Sequence, residues 1–402
     1  MTTGNKMLHL NACSLGHDFG SVWRLPFTQP ERSRDLNYLI ELVQLAEKGK
    51  MDALFSADFY SVRDDVDSSP APESEPLTLY SALAAATSHI GIVMSASTTY
   101  NDPYHLASTF ASIDHLTEGR TGWNMVTTAV SSVAGNYSRS EHLDHDSRYE
   151  LARKVVNQVR ESWNRWEYPL PQKHPVAVQA GSSEAGKQFA AEYAEVIFAA
   201  QPLLAYAQNF YADVKTRVKR VGRNPDHVHI LPGLVPIIAA THKEALELEQ
   251  ELNIYANLKN STQAVSRLID VDLTKLDPDI PIPHSILPQT SEVEGMRSRS
   301  QLVLDMIRDQ NLTVRQLVSA GTHLRMVGSW NEVADQMTTW LEQRGADGFN
   351  VMFPYTPGGL EDVVEHLIPE LQNRGIYRAD YEGTTLRSHY QLPLPSDAAL
   401  NR

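Results

Sequence analysis

Residues 118–128 read EGRTGWNMVTT, a glycine and arginine turn that feeds a short apolar strand ending on a polar Asn and two hydroxyls. Alone, such a segment could be any buried strand. Seven other short apolar runs share the pattern, at 7–13, 52–57, 90–97, 175–180, 195–200, 227–240 and 348–353, and several end in similar polar clusters. Between them lie helix-like runs. Leu36, Leu39, Ile40, Val43 and Ala46 step by threes and fours, which marks one face of a helix ending at Gly49. Further helices are expected over 75–87, 105–116, 148–166, from 183 onward, and over 203–221, 242–258 and 360–375. Eight strands, each trailed by a helix, predict an α/β fold, the (β/α)8 TIM barrel. A doubly wound open sheet uses the same alternation, but no GxGxxG follows the first strand.

Two segments break the rhythm. Residues 261–308 are rich in Pro, Ser and charge and separate the seventh strand from the eighth. At the loop end of a barrel, an insertion of that length reads as a lid or mobile flap rather than a packed domain. Residues 312–345 are expected to supply two helices around HLRMVGS. The chain is thus expected to be one domain over 1–402, with an insertion or flap at 259–311 before the last strand and a C-terminal extension at 376–402.

Composition excludes several function classes. The net charge is −14 and no Lys/Arg-rich run offsets it, so nucleic acid and an anionic bilayer are not expected partners. The lone cysteine, Cys13, excludes an intramolecular disulfide, and neither CxxC nor HExxH is present. No run approaches the roughly 20 apolar residues of a membrane span, and the first residues lack the apolar core of a signal peptide. The expected setting is cytoplasmic, and the expected role is an enzyme acting on a small molecule.

In a barrel, chemistry collects where strands end at their C-terminal edge. Asp58 ends the second strand, Ser95 and Ser97 share one face of the third, and the fourth carries Asn124, Thr127 and Thr128. The fifth runs through Gly181, Ser182 and Ser183 straight into a helix. Backbone N–H groups at a helix start, two hydroxyls and a glycine allowing close approach suit a phosphate, while Ser182 or Ser183 could equally be a plain N-cap. His145 and Tyr149 in HLDHDSRYE stand one helical turn apart and can face one cleft, though a His between Asp144 and Asp146 could also be merely solvated. His142 and His145 form an HxxH without a third ligand in reach, so no metal site is expected. Trp123, Trp163 and Trp166 read as packing residues.

Several ordered blocks add to this reading. EGRTGWNMVTT, ASTTYNDPYHLA, EPLTLYSALAAATSHIGI, QAGSSEAGKQFAAEYAEVIFAAQ and NFYADVKTRVKRVGRNPD, with GHDFGSVWRLP near the start and ADGFNVMF and LIPELQNRGIYRADYEGTTLR near the end, span about 8–387. Together they resemble the reduced-flavin-dependent monooxygenases of the bacterial luciferase-like superfamily, in the branch with nitrilotriacetate, EDTA and dibenzothiophene-sulfone monooxygenases. The resemblance implies FMN, used as FMNH2 and supplied by a separate NAD(P)H:flavin reductase, with O2 as cosubstrate. It implies a flavin C4a-(hydro)peroxide that delivers one oxygen atom to a carbon, nitrogen or sulfur centre, and a homodimer or homotetramer. It puts Asp58, Ser95, Ser97 and Asn124 beside the flavin ring, His145 and Tyr149 in contact with FMN, and Gly181, Ser182 and Ser183 at its phosphate. A non-catalytic FMN-binding or storage protein of the same fold is the alternative. The chain departs from that family between Trp166 and Pro175, where relatives usually carry a few tens more residues. Either the chain is truly shortened there or a loop is missing from the sequence as given; a true shortening is expected to remove one wall of the substrate entrance.

Overall fold

The computed structural model describes residues 6–13, 15, 22–57, 60, 74–255, 258–289 and 297–395. Nine strands form one parallel sheet: β1 His9–Cys13, β2 Ala53–Phe55, β3 Gly91–Ser97, β4 Thr121–Val126, β5 Val176–Gln179, β6 Val196–Ala199, β7 His229–Ala239, β8 Leu324–Ser329 and β9 Gly348–Met352. Each of β1 to β6 pairs with the next, β6 pairs with β7, β7 with β9, and β9 with β1. The ring is therefore closed, which settles the barrel against the open sheet. Around it lie α1 Leu36–Lys48, α2 Pro76–Ala84, α3 Pro103–Leu116, α4 His145–Asn164, α5 Glu184–Tyr193, α6 Leu204–Arg220, α7 His242–Tyr255, α8 Leu258–Ile269, α9 Arg297–Gln310, α10 Val314–Ala320 and α11 Trp330–Glu342.

Alternation along the strands separates two cores. Outward residues such as Leu10, Ile92, Met94, Trp123, Met125 and Phe349 pack beneath the helices. Cys13, Phe55, Val93, Val176, Val178, Val196, Leu231 and Met352 fill the lumen. In the stretch 118–128, Glu118 and Gly119 take φ of 53° and 89° in the turn. The Arg120 guanidinium is buried and donates to the carbonyls of Ala84, Ile90 and Thr117 at 2.9, 3.0 and 3.0 Å, which places a cation at the C-terminus of α2. Trp123 donates outward to the Ala96 carbonyl at 3.1 Å, whereas Asn124 turns into the lumen.

The C-terminal extension closes the base of the barrel. Leu386, Tyr390 and Leu392 join the lumen core. Arg387 grips Glu195 with two bonds, of 2.5 and 3.1 Å, and Arg378 pairs with the fully buried Asp52, which also meets His9 at 3.0 Å.

Two expectations change. LRMVGS is an additional strand, β8, rather than a link between helices; Leu324 and Met326 are buried and it pairs with the far half of β7. The inserted segment holds α8 and α9, which with the following α10 enclose a core of their own, including Ile269, Leu304, Ile307 and Leu317, because the apolar residues among its charges lie on shared helix faces. As expected, α1 ends at Gly49, its C-cap, where a Cβ would come 2.9 Å from Val364; the left-handed residue is the next one, Lys50, with φ 59°. The short connection from α4 to β5 leads into the N-terminal end of a strand and lies at the base, where Gln172 donates to Asp114 and accepts from the Arg387 N–H.

Candidate active site

At the C-terminal edge of β3 and β4, Asn124 Nδ2 donates to Ser95 Oγ at 2.8 Å, and Ser95 donates to the Ser56 carbonyl at 2.6 Å. Asn124 Oδ1 is buried without a donor. Ser97 differs from Ser95. Its hydroxyl meets Thr128 Oγ1 at 2.7 Å and accepts the N–H groups of Thr99 and Tyr100 at 3.1 and 3.2 Å, so its bonding capacity is used in holding the β3–α3 turn.

The helix α4 begins at His145 itself, with Asp144 as N-cap accepting from Asp146 N and Ser147 N. Residues one turn apart then stack, and the rings of His145 and Tyr149 lie 5.1 Å apart. His145 Nε2 is 3.1 Å from Ser183 Oγ and its Nδ1 is 2.8 Å from Asp146 Oδ1. Ser183 is the N-cap of α5, accepting from Gly186 N at 3.1 Å. The cap reading of this serine holds, and the same hydroxyl also meets His145. Tyr149 is buried, which pushes its phenol above the usual range, while bonds to Ser183 and Thr127 work the other way. A Cβ on Gly181 would come 2.5 Å from the Tyr149 hydroxyl, and one on Gly186 2.8 Å from it. Both glycines are thus required by close approach of the tyrosine. Glu184, in the first turn of α5, is neutralised by Lys187 and Arg217 and does not oppose an anion there.

Of the residues singled out from sequence, Ser95, Ser97 and Asn124 meet at one strand edge, and His145, Tyr149, Gly181 and Ser183 meet at the start of α5, with the Thr127 bond to Tyr149 joining the two groups. Ser182 adjoins the second group, half-buried. Asp58 lies outside the described residues. Sequence reasoning missed Gln179, whose Oε1 is buried without a donor and whose Nε2 would be 2.3 Å from a Gly181 Cβ. It also missed a relay of Arg148 to His142 Nε2 at 3.1 Å and His142 Nδ1 to the Tyr100 hydroxyl at 2.7 Å. Burial and the Arg148 charge together hold His142 below the ordinary histidine range. Nothing local marks these residues, because their partners come from other elements.

The family model described as luciferase-like monooxygenase matches residues 21–348. The chain belongs to the luciferase-like monooxygenases. It is 38% identical to nitrilotriacetate monooxygenase component A of Aminobacter aminovorans over 433 residues, covering 94% of each chain. Identity is also 38% with N-acetyl-S-(2-succino)cysteine monooxygenase of Bacillus subtilis strain 168 over 440 residues, covering 98% of this chain and 99% of that one. Both alignments exceed the 402 residues of this luciferase-like monooxygenase, so both relatives carry residues that it lacks. A crystal structure of riboflavin lyase with modified FMN and riboflavin superposes at a TM-score of 0.82, with 26% identity over 96% of each chain. This protein is accordingly an enzyme, a flavin-dependent monooxygenase. Among its described residues no helix is long and apolar enough to cross a membrane.

Proposed function

We propose that this enzyme is the oxygenase of a two-component system, receiving FMNH2 from a separate NAD(P)H:flavin reductase and inserting one atom of O2 into a carbon, nitrogen or sulfur centre of a small organic substrate. The second oxygen atom leaves as water, with the two electrons that FMNH2 gives up. The observation that carries the reading is the cradle at the start of α5, where Ser183, His145 and the close-packed Gly181 and Gly186 surround N–H groups that lack intrahelical acceptors. Hydroxyl, imidazole and free N–H groups at a helix start are the donors a phosphate takes. Asn124 Oδ1 and Gln179 Oε1 are buried acceptors without donors, each costing about 1–3 kcal/mol unless a ligand N–H reaches it.

Reduced flavin, when bound, supplies the oxygen-activating chemistry. The chain's residues bind, orient and exclude water. Ser183 and His145 would hold the phosphate, Gln179 would accept from the ligand at the Gly181 turn, Asn124 would accept from the ring, and Ser95 keeps the Asn124 amide turned so that Oδ1 stays available. Tyr149 packs between His145 and Phe189, at 5.1 and 5.8 Å, and shields the cradle from below. Asp58 beside the flavin, and a dimer or tetramer, remain part of the proposal. Relatives named for nitrilotriacetate and N-acetyl-S-(2-succino)cysteine support a small organic substrate. The test is turnover under 18O2 with NADH, FMN and a flavin reductase over sulfur conjugates, aminopolycarboxylates and sulfones. Products heavier by one 18O atom are expected. Tight binding of oxidised FMN without oxygen insertion by any reductase would instead indicate a flavin carrier.

A further inference from the structure

Two neighbouring helices of the ring carry an outer face without charge. In a chain that is 21% charged, residues 76–113 hold a single charged side chain, Asp102. They include α2 and most of α3, which follow the paired strands β2 and β3 and so lie side by side on the outside of the barrel. The outward stripe of α3 is Tyr104, Ser108, Ser112 and Leu116, spaced four apart, and Thr78 and Ala82 face out from α2. Tyr104 is 68% exposed and Leu116 81%. The one acid within α3, Asp114, turns inward and is buried against Gln172.

Other helices around the ring expose charge: Lys48 on α1, Lys154 on α4, Glu184 on α5, Lys219 on α6, Lys243 on α7 and Asp335 on α11. Charge also returns at the border of the neutral face. Glu75 and Asp102 cap the starts of α2 and α3, and Glu161 and Arg165 of α4 line an open hollow with Asp102 and Tyr104. A neutral centre with a charged rim is the composition of a protein interface. Charge also decides the occupant. Two copies at −14 each repel unless they meet where neither is charged, and in a two-fold contact the same patch serves both sides, so any charge near the axis would face its like. The α2–α3 face meets that condition. Its small side chains, Ala82, Ser108 and Ser112, also let helix axes approach to about 8–10 Å.

We propose that the α2–α3 face is where a second copy of this chain docks, in a contact with two-fold symmetry. The inference rests on the dimer or tetramer of the proposed function, adds the surface that builds it, and uses no residue of the flavin site.

Analytical ultracentrifugation of the full chain tests it. The wild type is expected to sediment as a dimer, or as a tetramer built from such dimers. Ala82→Glu combined with Ser112→Glu puts like charges across the contact and is expected to raise the dissociation constant of that contact about 100-fold or more, giving monomer from dimer or dimer from tetramer, with helix content unchanged by circular dichroism. Thr216→Glu, on the exposed side of α6, is expected to leave the mass as in wild type. Hydroxyl-radical footprinting of the wild type needs no substitution: Tyr104 is expected to be protected in concentrated protein and reactive on dilution. A monomeric wild type, a folded double variant with unchanged mass, or a Tyr104 equally reactive at every concentration would each overturn the proposal. So would a monomer that takes up the flavin reductase on this face. Mass and footprinting need neither flavin nor turnover, so failure of the oxygenase reading leaves both legible.

Discussion

Gly181→Ala probes the proposed phosphate cradle with the smallest possible change. The new methyl would stand 2.3 Å from Gln179 Nε2, 2.5 Å from the Tyr149 hydroxyl and 3.3 Å from the Gly186 Cα, whereas ordinary contact begins near 3.4 Å. The Gln179 amide can swing aside. Tyr149 cannot do so freely, because its ring is held between His145 and Phe189, so its hydroxyl must retreat by about 1 Å and leave Ser183 and Thr127. Two hydrogen bonds at about 0.5–1.5 kcal/mol each, together with roughly 1–3 kcal/mol of overpacking, give a total of about 2–6 kcal/mol. Part of this appears as lost stability and part as lost affinity. Fluorescence titration should show FMN binding weakened by roughly 10–100-fold, while riboflavin, which lacks the phosphate, binds as to wild type. Unchanged FMN affinity, or equal losses for FMN and riboflavin, would refute the cradle.

His145→Ala and Ser183→Ala are each expected to raise the FMN Kd about 3–30-fold, and the double variant by less than the product, because the two residues share one 3.1 Å bond; additive losses would argue against the pairing. Arg387→Met leaves Glu195 buried without its partner at the barrel base and should cost about 3–5 kcal/mol in urea unfolding, whereas a loss below about 1 kcal/mol would mean the C-terminal extension does not hold the base. Burial depresses His174 and His229 to about 3 and His389 to about 4. Folded rings that resist protonation stabilise fully above the unfolded value of about 6.5 and lose that contribution as pH falls from there toward 3. Asp114, raised to about 6 by burial, contributes below about 4 and loses its contribution as pH rises through 6, which offsets only part of the histidine effect. The urea midpoint should therefore fall steadily from pH 7 to pH 4, and a flat profile would contradict these burials.

Sequence carried the ring and most of the proposed site for a physical reason. Strand and helix periodicities are local, and all eight ring strands show them, as do the i, i+4 spacing of His145 and Tyr149 and the strand-to-helix turn at Gly181–Ser183. β8 escaped because Arg325 and Gly328 interrupt its apolar pattern, and its pairing partner β7 lies some 90 residues away. The insertion was read from composition, which hides helix faces when charged and apolar residues are interleaved.

By itself, the sequence determined the β/α alternation, the family, the net charge of −14 and the polar residues that end each strand. Tertiary structure alone decided which of those polar groups retain free valence. It committed the Ser97 hydroxyl to a turn and left Asn124 Oδ1 and His323 Nδ1 without donor or acceptor. It also sent the short α4–β5 connection to the base and set Arg299 against His323. Hydrogen-bond satisfaction and charge compensation depend on neighbours distant in sequence, and no local pattern encodes them.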